Sequence, residues 1–128
     1  MDRILLSAAF LMLMAGSSPL AEGMWGGPSI QMTVDPKGAV LDLDCAHGAI
    51  EGPIAIGSDG RFRASGTYAV EHAGPVREED ETGGGRPAVY EGRVEGKKLT
   101  LVITLADGKE VGTFELAHGR AGRVMKCM

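Results

Sequence analysis

Apolar and polar residues alternate along most of this chain with a period of two, the mark of strands that put one face in a core and the other in water. In residues 29–34 the apolar positions are Ile30, Met32 and Val34. DPKG (35–38) follows as a turn, Pro36 presetting φ and Gly38 closing it. Ala39, Leu41, Leu43 and Cys45 then share one face, with Val40, Asp42 and Asp44 on the other. A short apolar run at Ile54 and Ile56 precedes a turn at SDG (58–60). Beyond it Phe62, Ala64, Gly66, Tyr68 and Val70 face one way, and Arg61, Arg63, Ser65, Thr67 and Glu71 the other.

The second half of the chain is more regular. Ala88, Tyr90, Gly92 and Val94 alternate with Val89, Glu91, Arg93 and Glu95, and EGKK (95–98) turns. Leu99, Leu101, Ile103 and Leu105 alternate with Thr100, Val102 and Thr104. Asp107–Gly108 is a strong hairpin signal. Phe114 and Leu116 carry the next strand, HGRAG turns, and residues 124–127 read as the last strand. The predicted fold is all-β, an antiparallel up-and-down meander of about eight strands forming a small closed or nearly closed barrel. The 20 glycines suit its turns and bends.

Two stretches break the alternation. Residues 22–29 are a Gly-rich lead-in holding the only tryptophan, Trp25. Residues 73–87 form a long polar loop with Glu78, Glu79, Asp80 and Glu81 in a row. Loops of that length are functional or disordered, and an acid run on its own is solvated charge.

Residues 1–21 read as a secretory signal. Arg3 gives a short positive start, offset by Asp2, and Ile4 to Met14 form an apolar core. AGSSPLA (15–21) then supplies small residues and the helix-breaking Pro19 before a cut after Ala21. The apolar run is too short to span a bilayer, and no cysteine follows it to carry a lipid. The alternative, a buried N-terminal helix, finds nothing else of helical period to pack on. Residues 22–128 are then a single domain in the periplasm or outside the cell, without stable membrane insertion. The net charge is −4 and there is no basic cluster, which argues against nucleic acid and anionic membrane surfaces as partners.

The chain has two cysteines, Cys45 and Cys127, both in phase with core positions. In an exported protein they most simply form one disulfide, closing a loop of about 83 residues and contributing roughly 4–5 kcal/mol in the chain-entropy model. A metal reading would use His47, His72 and His118, each on the core-facing phase at a strand end. They could converge at a barrel mouth or be three unrelated rim residues, and the second is the simpler reading. No cofactor motif is present. There is no CxxC, no G-x-S-x-G, and no glycine-rich turn between a strand and a helix. The chain therefore does not read as an enzyme.

Cys45 and Gly48, then Ser65, Gly66 and Tyr68, then Cys127 together resemble the membrane-bound inhibitors of C-type lysozyme, small bacterial periplasmic barrels. The resemblance implies a barrel with an early-to-late disulfide, and Ser65 in the place of the serine that engages the lysozyme cleft. Leu43 stands where that family has a tyrosine, the motif spacing is shorter, and no matching lysine can be placed.

The reading that follows is a non-enzymatic extracytoplasmic barrel that binds a protein or small molecule. Large aliphatic residues at inward positions favour a filled interior, which leaves loops and rim for binding. The candidate contacts are Ser65, Trp25, Glu78, Glu79, Asp80 and Glu81. Trp25 could instead pack as a lid over the barrel end. The alternatives are a periplasmic inhibitor of a lysozyme-like hydrolase and a metal-binding protein using the three histidines.

Overall fold

The computed structural model describes residues 17–71 and 85–127. Eight antiparallel strands close into a barrel, and two short strands form a separate pair. In chain order the strands are β1 (Ser17–Pro19), β2 (Gly23–Gly27), β3 (Ile30–Asp35), β4 (Gly38–Leu43), β5 (Ala46–Glu51), β6 (Ala55–Gly57), β7 (Arg61–Val70), β8 (Arg86–Glu95), β9 (Lys98–Leu105) and β10 (Glu110–His118). Round the barrel the order is β10-β2-β3-β4-β5-β7-β8-β9. Neighbours in sequence are neighbours in space, as short connections require.

The alternation of the sequence places the core. Ile30, Met32, Leu41, Leu99, Leu101 and Ile103 are fully buried, and the exposed residues between them form the outer face. Polar turn residues close the hairpins as expected. Asp35 Oδ1 accepts the amides of Lys37 and Gly38 at 2.7 and 3.0 Å, and Asp107 Oδ1 accepts that of Lys109 at 2.9 Å. Inside, the Tyr90 hydroxyl donates to the Thr67 carbonyl. Glycines make room for the rings: a side chain at Gly92 would overlap the Phe62 ring, and one at Gly48 the Tyr90 hydroxyl.

The strand count agrees with the sequence pattern, but its membership differs. The Gly-rich lead-in is β2, a full member of the barrel. Residues 46–51 form β5, which pairs with β4 and β7. The run at Ile54 and Ile56 lies outside the barrel, where β6 pairs with β1. Residues 124–127 are not a strand. Cys45 does not continue β4 but sits in the β4–β5 turn at φ 53°. Strand β8 begins at Arg86, so the end of the expected 73–87 loop is sheet, with Pro87 opposite Thr67.

The chain after β10 becomes a strap. It turns at Gly119, whose amide bonds the Met24 carbonyl, and crosses the outside of β2 and β3. The crossing is very close. A side chain at Gly26 would overlap the backbone of residues 120–122, and one at Gly122 would overlap the Ile30 carbonyl. Gly122 N donates to Gln31 Oε1 at 3.0 Å, Ser29 N to the Arg123 carbonyl at 2.8 Å and Cys45 N to the Met125 carbonyl at 3.0 Å. The strap ends in the Cys45–Cys127 disulfide, whose Cα atoms are 4.8 Å apart.

At the other end of the barrel, where β5 hands over to β7, the β1–β6 pair packs against the core. Leu20 and Ile54 are both buried in the main apolar cluster. Residues 17–21, expected as the end of a leader, are therefore part of the folded unit.

Candidate functional site

Among the described residues, Trp25, Tyr90 and the aliphatic rows fill the barrel interior. The concave feature lies on the outside. A groove of about 790 Å³ runs across the outer faces of β8, β9 and β10 to the end of β2. Strand register explains it. One outward row reads Arg61, Arg93, Thr100, Glu115 across β7, β8, β9 and β10. The next reads Glu95, Lys98, Ala117, Gly26 across β8, β9, β10 and β2. Thr100 and Ala117 are short, so the middle of the surface is low, and the strap closes it off where it passes over Gly26. Arg61 and Arg93 wall one side and Arg120 of the strap stands on the other.

The groove carries charge of both signs. Arg61 and Arg93 face each other in register, an unfavourable like-charge pair. The Arg93 guanidinium pairs with Glu95 at 3.0 Å, which offsets part of that repulsion. Among the described residues Arg61, Lys98 and Arg120 form no ion pair. Charged outer rows are also unlike the apolar band of a membrane-spanning barrel. No helix among the described residues is long and apolar enough to cross a membrane.

A second polar group sits where the strap ends. Lys126 Nζ donates to the Ala46 carbonyl and to Glu71 Oε2, both at 2.9 Å, and lies 3.1 Å from Asp42 Oδ1. His47 Nδ1 meets the same Glu71 oxygen at 2.9 Å. The Lys126 hydrogen bond holds the Glu71 carboxyl below its ordinary range, with His47 adding to it. Partial burial works against the Lys126 charge, but its bonds to Glu71 and Asp42 outweigh that and raise its pKa. Asp44 is lowered by a hydrogen bond from Ser29 and then by the Met125 amide. A His–Glu pair can orient a general base, but no side-chain hydroxyl or thiol bonds His47 among the described residues, and Cys45 is in the disulfide. The group anchors the strap.

The residues picked out from sequence fall apart in space. Trp25 is 1% exposed, so it is a core residue and not a contact anchor. It lies on the inward phase of β2, its indole N–H donating to the Ala21 carbonyl at 2.9 Å and its ring 4.7 Å from that of His118. Ser65 is exposed in the middle of β7 opposite Val89, outside the groove lining. Glu78, Glu79, Asp80, Glu81 and His72 lie outside the described residues. His47 on β5 and His118 on β10 are four strands apart in an eight-strand ring, on opposite sides, so they do not converge. His118 Nε2 bonds the Glu22 carbonyl at 2.8 Å instead. No cluster able to hold a metal forms among the described residues.

The groove was not legible from sequence. Thr100, Ala117 and Gly26 are unremarkable singly, and only register lines them up. No family model, curated protein or solved structure matches the chain.

Proposed function

We propose that this protein is a non-enzymatic extracytoplasmic binding module that holds a segment of a partner protein in the groove over β8, β9 and β10. The observation that carries this reading is the groove itself, a trough floored by Thr100 and Ala117 and flanked by Arg61, Lys98 and Arg120, which form no ion pair among the described residues. Its volume lies within the range of about 300–1,000 Å³ usual for binding sites. A polar, mixed-charge trough on a sheet suits an extended peptide whose acidic side chains reach the cations. The disulfide supports an oxidising compartment, and the filled interior leaves the outside as the place to bind.

Site-specific photocrosslinking in the exporting cell tests it. A crosslinker at Thr100 should capture a protein, and the pair Arg61→Glu with Arg120→Glu should abolish capture. A crosslinker at Val40, exposed on the outer face of β4, should capture little. Equal capture from both positions would sink the proposal. The narrower reading, inhibition of a lysozyme-like hydrolase through Ser65, is separated by assaying hen lysozyme with the oxidised protein. Inhibition lost in Ser65→Asp and kept in the Arg61, Arg120 pair would favour it over the groove.

A further inference from the structure

We infer that the leader is cut upstream of Leu20, at the Ser17–Ser18 bond, and that the mature chain keeps Leu20 as the plug that completes the core. The inference rests on the export reading above but not on the groove.

Two observations carry it. The first is packing. Leu20 is 3% exposed and Ile54 4%, and both belong to the main apolar cluster. Leu20 N donates to the Ile54 carbonyl at 3.0 Å, and Ser18 and Pro19 pair with Ile56 and Ala55. The Ala21 carbonyl accepts the Trp25 indole N–H from inside the barrel wall. A cut after Ala21 would remove Leu20, uncover Ile54 and Ile56, strip β6 of its partner strand and detach the acceptor of a buried indole. Buried polar groups of that kind are normally paired.

The second is the sequence of the cut itself. Signal peptidases need small side chains at the first and third residues before the cut. A cut after Ala21 puts Pro19 at the third place, whereas a cut after Ser17 puts Ser17 and Ala15 at the two places. Cuts after Ala15 or Gly16 would put Leu13 or Met14 there, and a cut after Ser18 would have to break the tertiary amide to Pro19. The reaction is plain hydrolysis: water gives its hydroxyl to the Ser17 carbonyl carbon and a proton to the Ser18 nitrogen. Ser18, Pro19 and Leu20 then fold back beside β6.

The test is to export the full chain from a bacterial host and read the mature N-terminus by intact mass and terminal sequencing. Ser18 is expected. An N-terminus at Glu22 overturns the inference while leaving export intact. A chain that stays uncut in the cytoplasm overturns the inference and the export reading together. Leu20→Ser in the same full chain gives a second readout. If Leu20 is retained, the mature variant differs in mass by that substitution and its Tm falls by about 10 °C or more. If Leu20 is lost with the leader, mature wild type and variant are identical in mass and melt together, which overturns the inference.

Discussion

Three residues show how tightly the barrel is filled. Tyr90 is 0% exposed, and burial, with Tyr68 nearby, pushes its phenol well above the ordinary value. Its hydroxyl donates to the Thr67 carbonyl, and Tyr90→Phe removes that buried bond. A loss of about 1–3 kcal/mol should appear as a lower urea midpoint at unchanged slope. Gly92→Ala pushes a methyl into the Phe62 ring and should cost about 1–3 kcal/mol in the same assay. The alternation announced Tyr90 as a core residue, because Ala88, Tyr90 and Gly92 fall in one phase. Trp25 was not announced. Its glycine neighbours Gly23, Gly26 and Gly27 erase the apolar alternation that would have marked β2. Gly26 and Gly27 are glycines because other chain segments lie against them, and Gly23 because its φ is 104°; a single strand carries no record of what crosses it.

At the scale of elements, β3, β4, β7, β8, β9 and β10 were readable from period and turn chemistry alone. Strand β5 hid because its inward row is Ala46, Gly48 and Ile50, of which only Ile50 is large enough to register as apolar. The last stretch was misread because Val124 and Met125 look like the start of a strand, yet they belong to a strap whose backbone bonds reach Ser29 and Cys45. The pairing of Cys45 with Cys127 was foreseen, but the turn position of Cys45 was not. Two predictions separate the contributions to the strap. Cys127→Ser should lower stability by up to about 4–5 kcal/mol, seen as a lower Tm that dithiothreitol no longer changes. Lys126→Met removes part-exposed ion pairs and one bond to the Ala46 carbonyl, and should cost about 1 kcal/mol or less. A loss from Lys126→Met as large as that from Cys127→Ser would mean that the charge cluster, and not the covalent bond, holds the strap.

At the scale of the whole molecule, the shifted groups among the described residues give stability a pH dependence. Glu71 and Asp44 have lowered pKa values in the folded state, so their stabilisation is fully present above the ordinary carboxyl values of 4.5 and 3.8. It is lost as pH falls through the lower, folded values. Lys126 is raised, so its share is present below 10.5 and lost only as pH climbs through the raised value. Stability should hold level through neutral pH and fall on acidification. The drop in urea midpoint between about pH 6 and about pH 3 should shrink in Glu71→Gln, modestly because the group is part-exposed. The overall architecture was the most legible feature of the chain, since closure follows from strand number and short turns. The groove was the least, since it depends on four strands in register.

The barrel closes unevenly. Strands β10 and β2 share two register pairs, Ala117 with Gly26 and His118 with Trp25, whereas every other junction in the ring has at least five. Closing that seam joins residues about ninety positions apart, the entropically dearest step in forming the ring. The strap lies directly over it. In amide hydrogen exchange, the Gly119 amide, which donates to the Met24 carbonyl across the seam, should therefore exchange by local opening at low free energy when the disulfide is reduced, and only with global unfolding when it is formed. Oxidation would then show as a zipper locked at its last teeth, slowing exchange at one seam while leaving β7, β8 and β9 as they were.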